Sequence, residues 1–408
     1  MTEILTPLYR TVRDGDEILG YVAIDSTIRG RALGGLRMAP DVTAVEVAGL
    51  ARAMTLKYGL AGLPQGGGKA GVVGDPEAPG PERRARLRAF ARAIAPLLKD
   101  RVYQPDTDMG TCAEDIHDML EAVGLRVGRR DLRSDRSGHY TALTVLAGAR
   151  AALSRRGARL EGATAAIEGF GAVGGSLAAL LDRAGARLVA VSTSRGALHD
   201  PGGLDVPRLK QLAALHGSGV VVEYREAERI APQALRELPV DLFSPCARPG
   251  SIGAAGAARV QARAISSGAN DPIEPEAEGI LAERGVVVVP DFVANMGGVL
   301  GGTMRFAAVG ERRIEAFLLK SVGAWIDALL ARAEEEGVPP RQIAVPLARA
   351  GFEALRGRAE HPGPAGRLMD AAVELHRRRL LPRPLVGAFA PRWFEKSLAP
   401  PPGPAGAR

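Results

Sequence analysis

Apolar and polar positions repeat along this chain with helical and strand periods, and the changes of period mark out its elements. From Pro81 to Leu98, the residues Leu87, Phe90, Ala91, Ile94, Leu97 and Leu98 share one helical face, and proline opens the segment. Similar spacing predicts helices over 44–58 and over AEDIHDMLEAVG, where Ile116, Met119, Leu120 and Val123 turn inward. LGYVAIDS, residues 19–26, predicts a strand, and RVYQPDTDMGT predicts a strand ending in a turn. The polar stretch 126–139 has no period and predicts a loop or hinge.

Beyond a linking helix at 141–156, short apolar runs alternate with helical stretches. TAAIEGF and RLVAVSTS predict strands; AVGGSLAALLDRAG and GLDVPRLKQLAALHG predict helices. VDLFSPCA, ARAISSGAN and GVVVVPDF each end a short apolar run at a turn. Such alternation implies a parallel sheet covered on both faces. After about residue 311 the pattern is helical, with Ile314, Phe317, Leu318, Val322, Trp325 and Leu329 in one stripe. The end, APPPGPAGAR, has too much proline and glycine to pack and is expected to be disordered.

The 408 residues exceed one typical domain, so two are expected. The net charge of +7 comes with 46 acidic residues interleaved among the basic ones, and aromatics are only 4%, so a nucleic-acid partner is not expected. No run of eighteen apolar residues points to a membrane span, and the polar start is unlike a signal peptide. Two cysteines, Cys112 and Cys246, make no disulfide scaffold, so a cytoplasmic setting is expected. No metal site is expected.

Only six of the 53 basic residues are lysines, and two of them, Lys57 and Lys69, lie within thirteen residues. Lys69 follows three glycines in GLPQGGGKAG, where backbone and ammonium are expected to meet a small molecule. A buried lysine can lose its proton near neutral pH and arginine cannot. Gly169, Gly171 and Gly174 form G-F-G-A-V-G between a strand and a helix, a dinucleotide signature in its proper context, with Ala172 and Val173 in the same turn. The second strand ends Thr193-Ser194-Arg195, without the acid that commonly bonds the NAD ribose. Hydroxyl donors and Arg195 there tilt the expected NAD(P) cofactor towards NADP. Asp106 and Asp108 sit at a strand's end, where Asp108 is either a helix cap or a proton carrier facing Lys69.

These residues resemble the glutamate, leucine, phenylalanine and valine dehydrogenases. The likeness runs from about Ala32 to Gly301 and includes LGGLRMAP, ARAMTLKYGLAGLPQGGGKAGVVGDP, PDTDMGT, IEGFGAVGGSLA, DLFSPCA, SGAND and VVPDFVANMGGV. It implies an α/β fold with two domains: an N-terminal substrate and oligomerisation domain over 1–138 and a Rossmann NAD(P)-binding domain over 139–310. Helices over 311–395 are implied to return to the first domain, ahead of a disordered tail at 396–408. By position, Lys57 resembles the lysine that holds the substrate carboxylate, Lys69 the catalytic lysine and Asp108 the proton-carrying aspartate. Gly35 and Asn295 are implied to fix the substrate, with Thr141, Ala247 and Asn270 near the nicotinamide. Lys57 is further expected to depress the Lys69 pKa by its charge. The family also implies a homo-oligomer.

Two positions depart from the family pattern. Glutamate-type members carry a lysine where this chain has Leu33, and Thr193 stands where the family usually has Asp. Leu33, with Gly302 leaving room three positions after Val299, makes an apolar L-amino acid of the leucine, valine, phenylalanine or tryptophan type the expected substrate. A glutamate enzyme using another cation, such as Arg31 or Arg37, is the alternative, and a non-catalytic dinucleotide sensor is the alternative of another class.

Overall fold

The computed structural model describes residues 7–125, 136–378 and 380–398. The loop expected at 126–139 falls outside the described residues up to 135, and by Ser137 the chain is already helical. It divides into two compact units. One comprises residues up to Asp135 together with Ala348–Arg377; the other comprises Arg136–Leu347 and the chain from Arg378.

The first unit is built on a five-stranded mixed sheet. Its strands are β1 (Leu8–Asp14), β2 (Glu17–Ile24), β3 (Ala32–Ala39), β4 (Gly66–Val73) and β5 (Tyr103–Thr107), in the order β1-β2-β4-β3-β5. β3 lies between β4 and β5 and is parallel to both. Helix α1 (Ala44–Ala61) starts at an N-cap where the Thr43 hydroxyl accepts from the Glu46 amide, and it ends at Gly62 in the left-handed region, φ +68°. One sheet face packs on Leu87, Phe90, Ile94, Leu97 and Met119, all buried. Each such side chain contributes roughly 1.5–3 kcal/mol by leaving water. The helix expected over 81–98 is two, α2 (Gly80–Ala93) and α3 (Ala95–Lys99), because Pro96 has no amide to continue the ladder. Val42, Val47 and Ala51 cover residues of the opposite face.

The glycine run before Lys69 is the start of strand β4. A Cβ on Gly67 would stand 2.5 Å from the Ala51 carbonyl oxygen and 2.3 Å from Thr55 Oγ1 on α1. A Cβ on Gly34 would stand 1.7 Å from the Gly68 carbonyl oxygen. Glycine is thus required because helix and strand backbones nearly touch.

The segment Ala348–Arg377 joins this unit through close helix packing. Gly59 of α1 and Gly351 of the helix Pro340–Glu360 face each other, and a Cβ on Gly59 would meet the Ala348 carbonyl oxygen at 2.1 Å. Phe352 and Leu355 close over Ile28, and Arg29 pairs with Asp370 at 2.5 Å.

The second unit holds a seven-stranded sheet, in the order β12-β11-β10-β6-β7-β8-β9. The strands are β6 (Thr164–Glu168), β7 (Arg187–Thr193), β8 (Gly196–His199), β9 (Glu228–Ile230), β10 (Leu242–Pro245), β11 (Ala264–Ser266) and β12 (Val287–Val289). The first five in that order run parallel, but at the other edge β8 is antiparallel to both β7 and β9, so the sheet is mixed. Continuous apolar runs mark parallel strands; the short edge pair has no such run and escaped the sequence pattern. Helix α4 (Ala113–Glu121) lies in the first unit, whereas α5 (Ser137–Ser154) is almost wholly buried on the second sheet, with Ser266 Oγ donating to its Val145 carbonyl at 2.8 Å. The apolar stripe from Ile314 to Leu329 is buried in this unit, and Gly323 there lies against Ala147 of α5. The return to the first unit is therefore made by Ala348–Arg377 and not by the stripe. Lys396 and Ser397, placed in the expected disordered tail, end the helix Arg383–Ser397; residues 399–408 fall outside the described residues. No described helix is long and apolar enough to cross a membrane.

Candidate active site

In the first unit, three strands bring one buried ion cluster together. Lys69, on β4, is 3% exposed, and its Nζ stands 2.6 Å from Oδ2 of Asp108, just beyond β5. Arg37, on β3, donates from Nε to the same oxygen at 3.1 Å, and its Nη1 bonds Glu46 at the start of α1. Asp108 is not a helix cap. Its amide donates to Thr111 Oγ1 at 3.0 Å, and α4 is capped at Cys112, whose amide donates to Asp115 Oδ2 at 2.7 Å. The carboxylate is left for the two cations.

Gly35 makes room for this pair. A Cβ there would stand 2.7 Å from Asp108 Cβ and 3.1 Å from Lys69 Nζ. Its carbonyl accepts from the Tyr103 hydroxyl at 3.1 Å, and the Gly34 carbonyl accepts from the same hydroxyl at 3.0 Å. Leu33 is half-buried on β3, and its carbonyl accepts from Tyr58 of α1 at 3.4 Å. Lys57 is buried on α1, beside Tyr58.

The charges tune one another. Burial pushes the Lys69 ammonium below the ordinary lysine value, Asp108 opposes that, and Arg37 adds to it. Arg37, which the sequence did not point to for this role, is thus a cation acting on Lys69. Burial would raise the Asp108 carboxyl, yet Lys69 and Arg37 outweigh it and hold the group well below the usual carboxylate range. Sequence reasoning passed over Arg37, Glu46 and Tyr103 as parts of this cluster. The available signal was strand period: Arg37 lies two residues after Gly35, hence on the same face.

In the second unit, the G-F-G-A-V-G turn joins β6 to α6 (Ala172–Arg183). Gly169 has φ +92°, and a Cβ there would meet Ala247 at 2.9 Å. A Cβ on Gly174 would stand 1.8 Å from the Gly169 carbonyl oxygen, so only glycine allows helix and strand this close. Nothing lies within 4 Å of the Cβ position of Gly171, and no side chain caps the helix start at Ala172 and Val173. Those open amides fit a pyrophosphate. Ser192 Oγ accepts from the Gly169 amide at 3.1 Å and fixes the turn, a role the sequence did not signal.

The Thr193 hydroxyl donates to the Ser218 carbonyl at 2.7 Å and accepts from the Arg195 amide at 3.1 Å. Its one hydrogen is already used, so it is not the free donor expected. Ser194 and Arg195 are exposed. Asn295 Nδ2 donates to Asn270 Oδ1 and to the Ala269 carbonyl, each at 2.9 Å, which brings those two candidates together. Its Oδ1 is buried without a partner among the described residues, an acceptor left over for a ligand donor. Thr141 is buried on α5, near Gly298, and Gly302 is exposed with open space at its Cβ position.

Comparison with known proteins now bears on this arrangement. A family model described as Glutamate/Leucine/Phenylalanine/Valine dehydrogenase matches residues 134–356, and one described as Glu/Leu/Phe/Val dehydrogenase, dimerisation domain, matches residues 6–124. Glutamate dehydrogenase of Thermotoga maritima is 38% identical over 297 residues, 69% of this chain and 70% of that protein. NAD-specific glutamate dehydrogenase of Staphylococcus aureus is 36% identical over 292 residues, with 69% and 70% covered. The leucine-bound hetero-hexameric glutamate dehydrogenase of Thermus thermophilus matches with a TM-score of 0.71 at 30% identity, over 88% of this chain and 90% of that one. L-tryptophan dehydrogenase of Nostoc punctiforme matches with a TM-score of 0.56 at 25% identity, over 87% and 96%. These relatives support glutamate better than the apolar substrate expected from Leu33, and the NAD-specific one gives the expected lean to NADP no support. With both domain models matched in order on a two-unit α/β fold, the chain belongs to the glutamate/leucine/phenylalanine/valine dehydrogenase family of NAD(P)-dependent amino-acid dehydrogenases.

Proposed function

We propose that this chain reversibly deaminates an L-amino acid to the 2-oxo acid and ammonia, with glutamate as the leading substrate. The observation that carries the chemistry is the Lys69–Asp108 pair at 2.6 Å, its lysine buried and its carboxylate half-buried. Lys69, its pKa lowered, takes a proton from the water that attacks the imine carbon. Asp108 passes protons to and from the departing nitrogen. Lys57 holds the α-carboxylate, with the Gly35 backbone and Asn295 as further substrate contacts. Bound NAD(P) would accept the hydride from the α-carbon. Gly169, Gly171 and Gly174, with the amides of Ala172 and Val173, would hold its pyrophosphate; Ser194 and Arg195 would face its ribose, and Thr141, Ala247 and Asn270 its nicotinamide half.

Glutamate leads because the relatives at 38% and 36% identity are glutamate dehydrogenases. A second reading, an apolar side chain, is favoured by one observation. Leu33 offers no charge, and Arg37, named as a substitute cation, is already bonded to Asp108 and Glu46. Burying a substrate carboxylate without a partner is strongly unfavourable. A panel of glutamate, leucine, valine, phenylalanine and tryptophan, each with NAD and with NADP, separates the readings by nicotinamide absorbance. A kcat/KM for glutamate at least about tenfold above the others, roughly 1.4 kcal/mol, is the expected result. The reverse order establishes the apolar reading, and no turnover with tight cofactor binding leaves a sensor.

A cytoplasmic homo-oligomer completes the proposal, supported by the match of residues 6–124 to the family's dimerisation domain. Light scattering should give a mass of several chains; a mass of one chain, 42.7 kDa, would refute self-association.

A further inference from the structure

We propose that Arg37 is a positioning residue for the Lys69–Asp108 pair, a buried clamp that fixes the carboxylate and keeps Lys69 ready to give up its proton. This rests on the catalytic reading of that pair. Arg37 is 4% exposed in the middle of β3, where a lone guanidinium would be costly. Its two ends are both used: Nε bonds Asp108 Oδ2 at 3.1 Å, and Nη1 bonds Glu46. Glu46 is itself fixed, because its amide donates to the Thr43 cap at the first turn of α1. The clamp therefore ties the carboxylate to a helix start and a sheet centre, two rigid elements.

Oδ2 of Asp108 receives both Lys69 Nζ and Arg37 Nε. A carboxylate facing Lys69 alone would give its full charge to the ammonium and hold the proton there. Sharing it with a permanent cation weakens that hold, and the arginine's own charge opposes protonation of Lys69. The groups acting most strongly on Lys69 are Asp108, Arg37 and Asp106, Lys57 being a further cation of the candidate site; Tyr103 and Tyr58, both buried, stay neutral. Glu46 reaches Lys69 only through Arg37. Arginine suits this place because its planar fork spans two carboxylates, which an ammonium on a flexible stem does not.

Only six lysines are present, so the Lys69 ¹³Cε signal in protein labelled at lysine can be assigned by its loss in Lys69→Arg. Its titration without substrate reads the clamp independently of turnover. In Arg37→Met the Lys69 midpoint should rise by about one pH unit or more. The acid limb of the kcat profile should move the same way, with kcat down about a hundredfold. Arg37→Lys, which restores the charge without the fork, should return the midpoint towards wild type while kcat stays low. If Arg37→Met does not fold, Arg37→Gln, neutral and still hydrogen-bonding, is expected to show the same rise. A midpoint unchanged or lowered in a folded neutral variant overturns the proposal. Failure of wild type to turn over any amino acid would instead sink the reaction reading, and the titration would still decide the clamp.

Discussion

Replacing Lys69 with alanine should lower kcat by roughly 10²–10⁴ while the chain still folds and binds cofactor, the range expected when a positioned acid–base group is lost. The fold should survive because Arg37 remains bonded to Asp108 and the carboxylate is not left alone. Cofactor binding should survive because Gly169, Gly171 and Gly174 lie in the other compact unit. Lys69→Arg should not restore the rate, since a guanidinium stays protonated and cannot act as a base. On the proposed mechanism the neutral lysine is the working form in wild type. Its pKa is lowered by burial, so the rate should fall as pH drops through that lowered value. The residual rate of the alanine variant should lack this limb. Rates across pH, with cofactor titration by fluorescence, make the test; a kcat within a few-fold of wild type would sink the mechanism.

Asp108→Asn should abolish most turnover and also destabilise the first unit. The substitution removes the one carboxylate that Lys69 and Arg37 share and leaves Glu46 to face Arg37, a loss of about 3–5 kcal/mol for breaking a buried pair. The sign of the pH dependence follows from the depressed carboxyl. Asp108 is charged in the folded protein well below its ordinary range, so its stabilisation is full at neutral pH and is lost as pH falls through the acid range. The variant's deficit should therefore be large at pH 7 and narrow at pH 3. Urea midpoints of both proteins at the two pH values decide this, and equal midpoints at pH 7 would show that the carboxylate does not hold the cluster together.

Sequence alone determined what depends on local pattern. Helix α1 begins at Ala44 as its spacing predicts, and the inward faces Leu87-Phe90-Ile94 and Ile116-Met119 are buried. The dinucleotide turn was legible because its spaced glycines stand between a strand and a helix, and Gly174 answers to the Gly169 carbonyl only five residues away. The Lys69–Asp108 pairing was legible by position only as one of two readings of Asp108, and the family likeness chose between them, since 39 residues separate the two and no local period links them.

Tertiary structure decided the rest. The glycines before Lys69 carry no strand pattern in sequence, yet they are a strand pressed onto α1; a missing Cβ does not say which neighbour needs the space. A charge that tunes Lys69 comes from Arg37 across the β3–β4 pair, because strand register sets distance where sequence separation does not. Thr193 kept its hydroxyl in the sequence and lost it as a donor once Ser218 folded against it. The stripe after residue 311 announced a buried face but not its partner, which proved to be in the second unit: amphipathic pattern fixes which side is apolar, and only the packed chain supplies the surface that covers it.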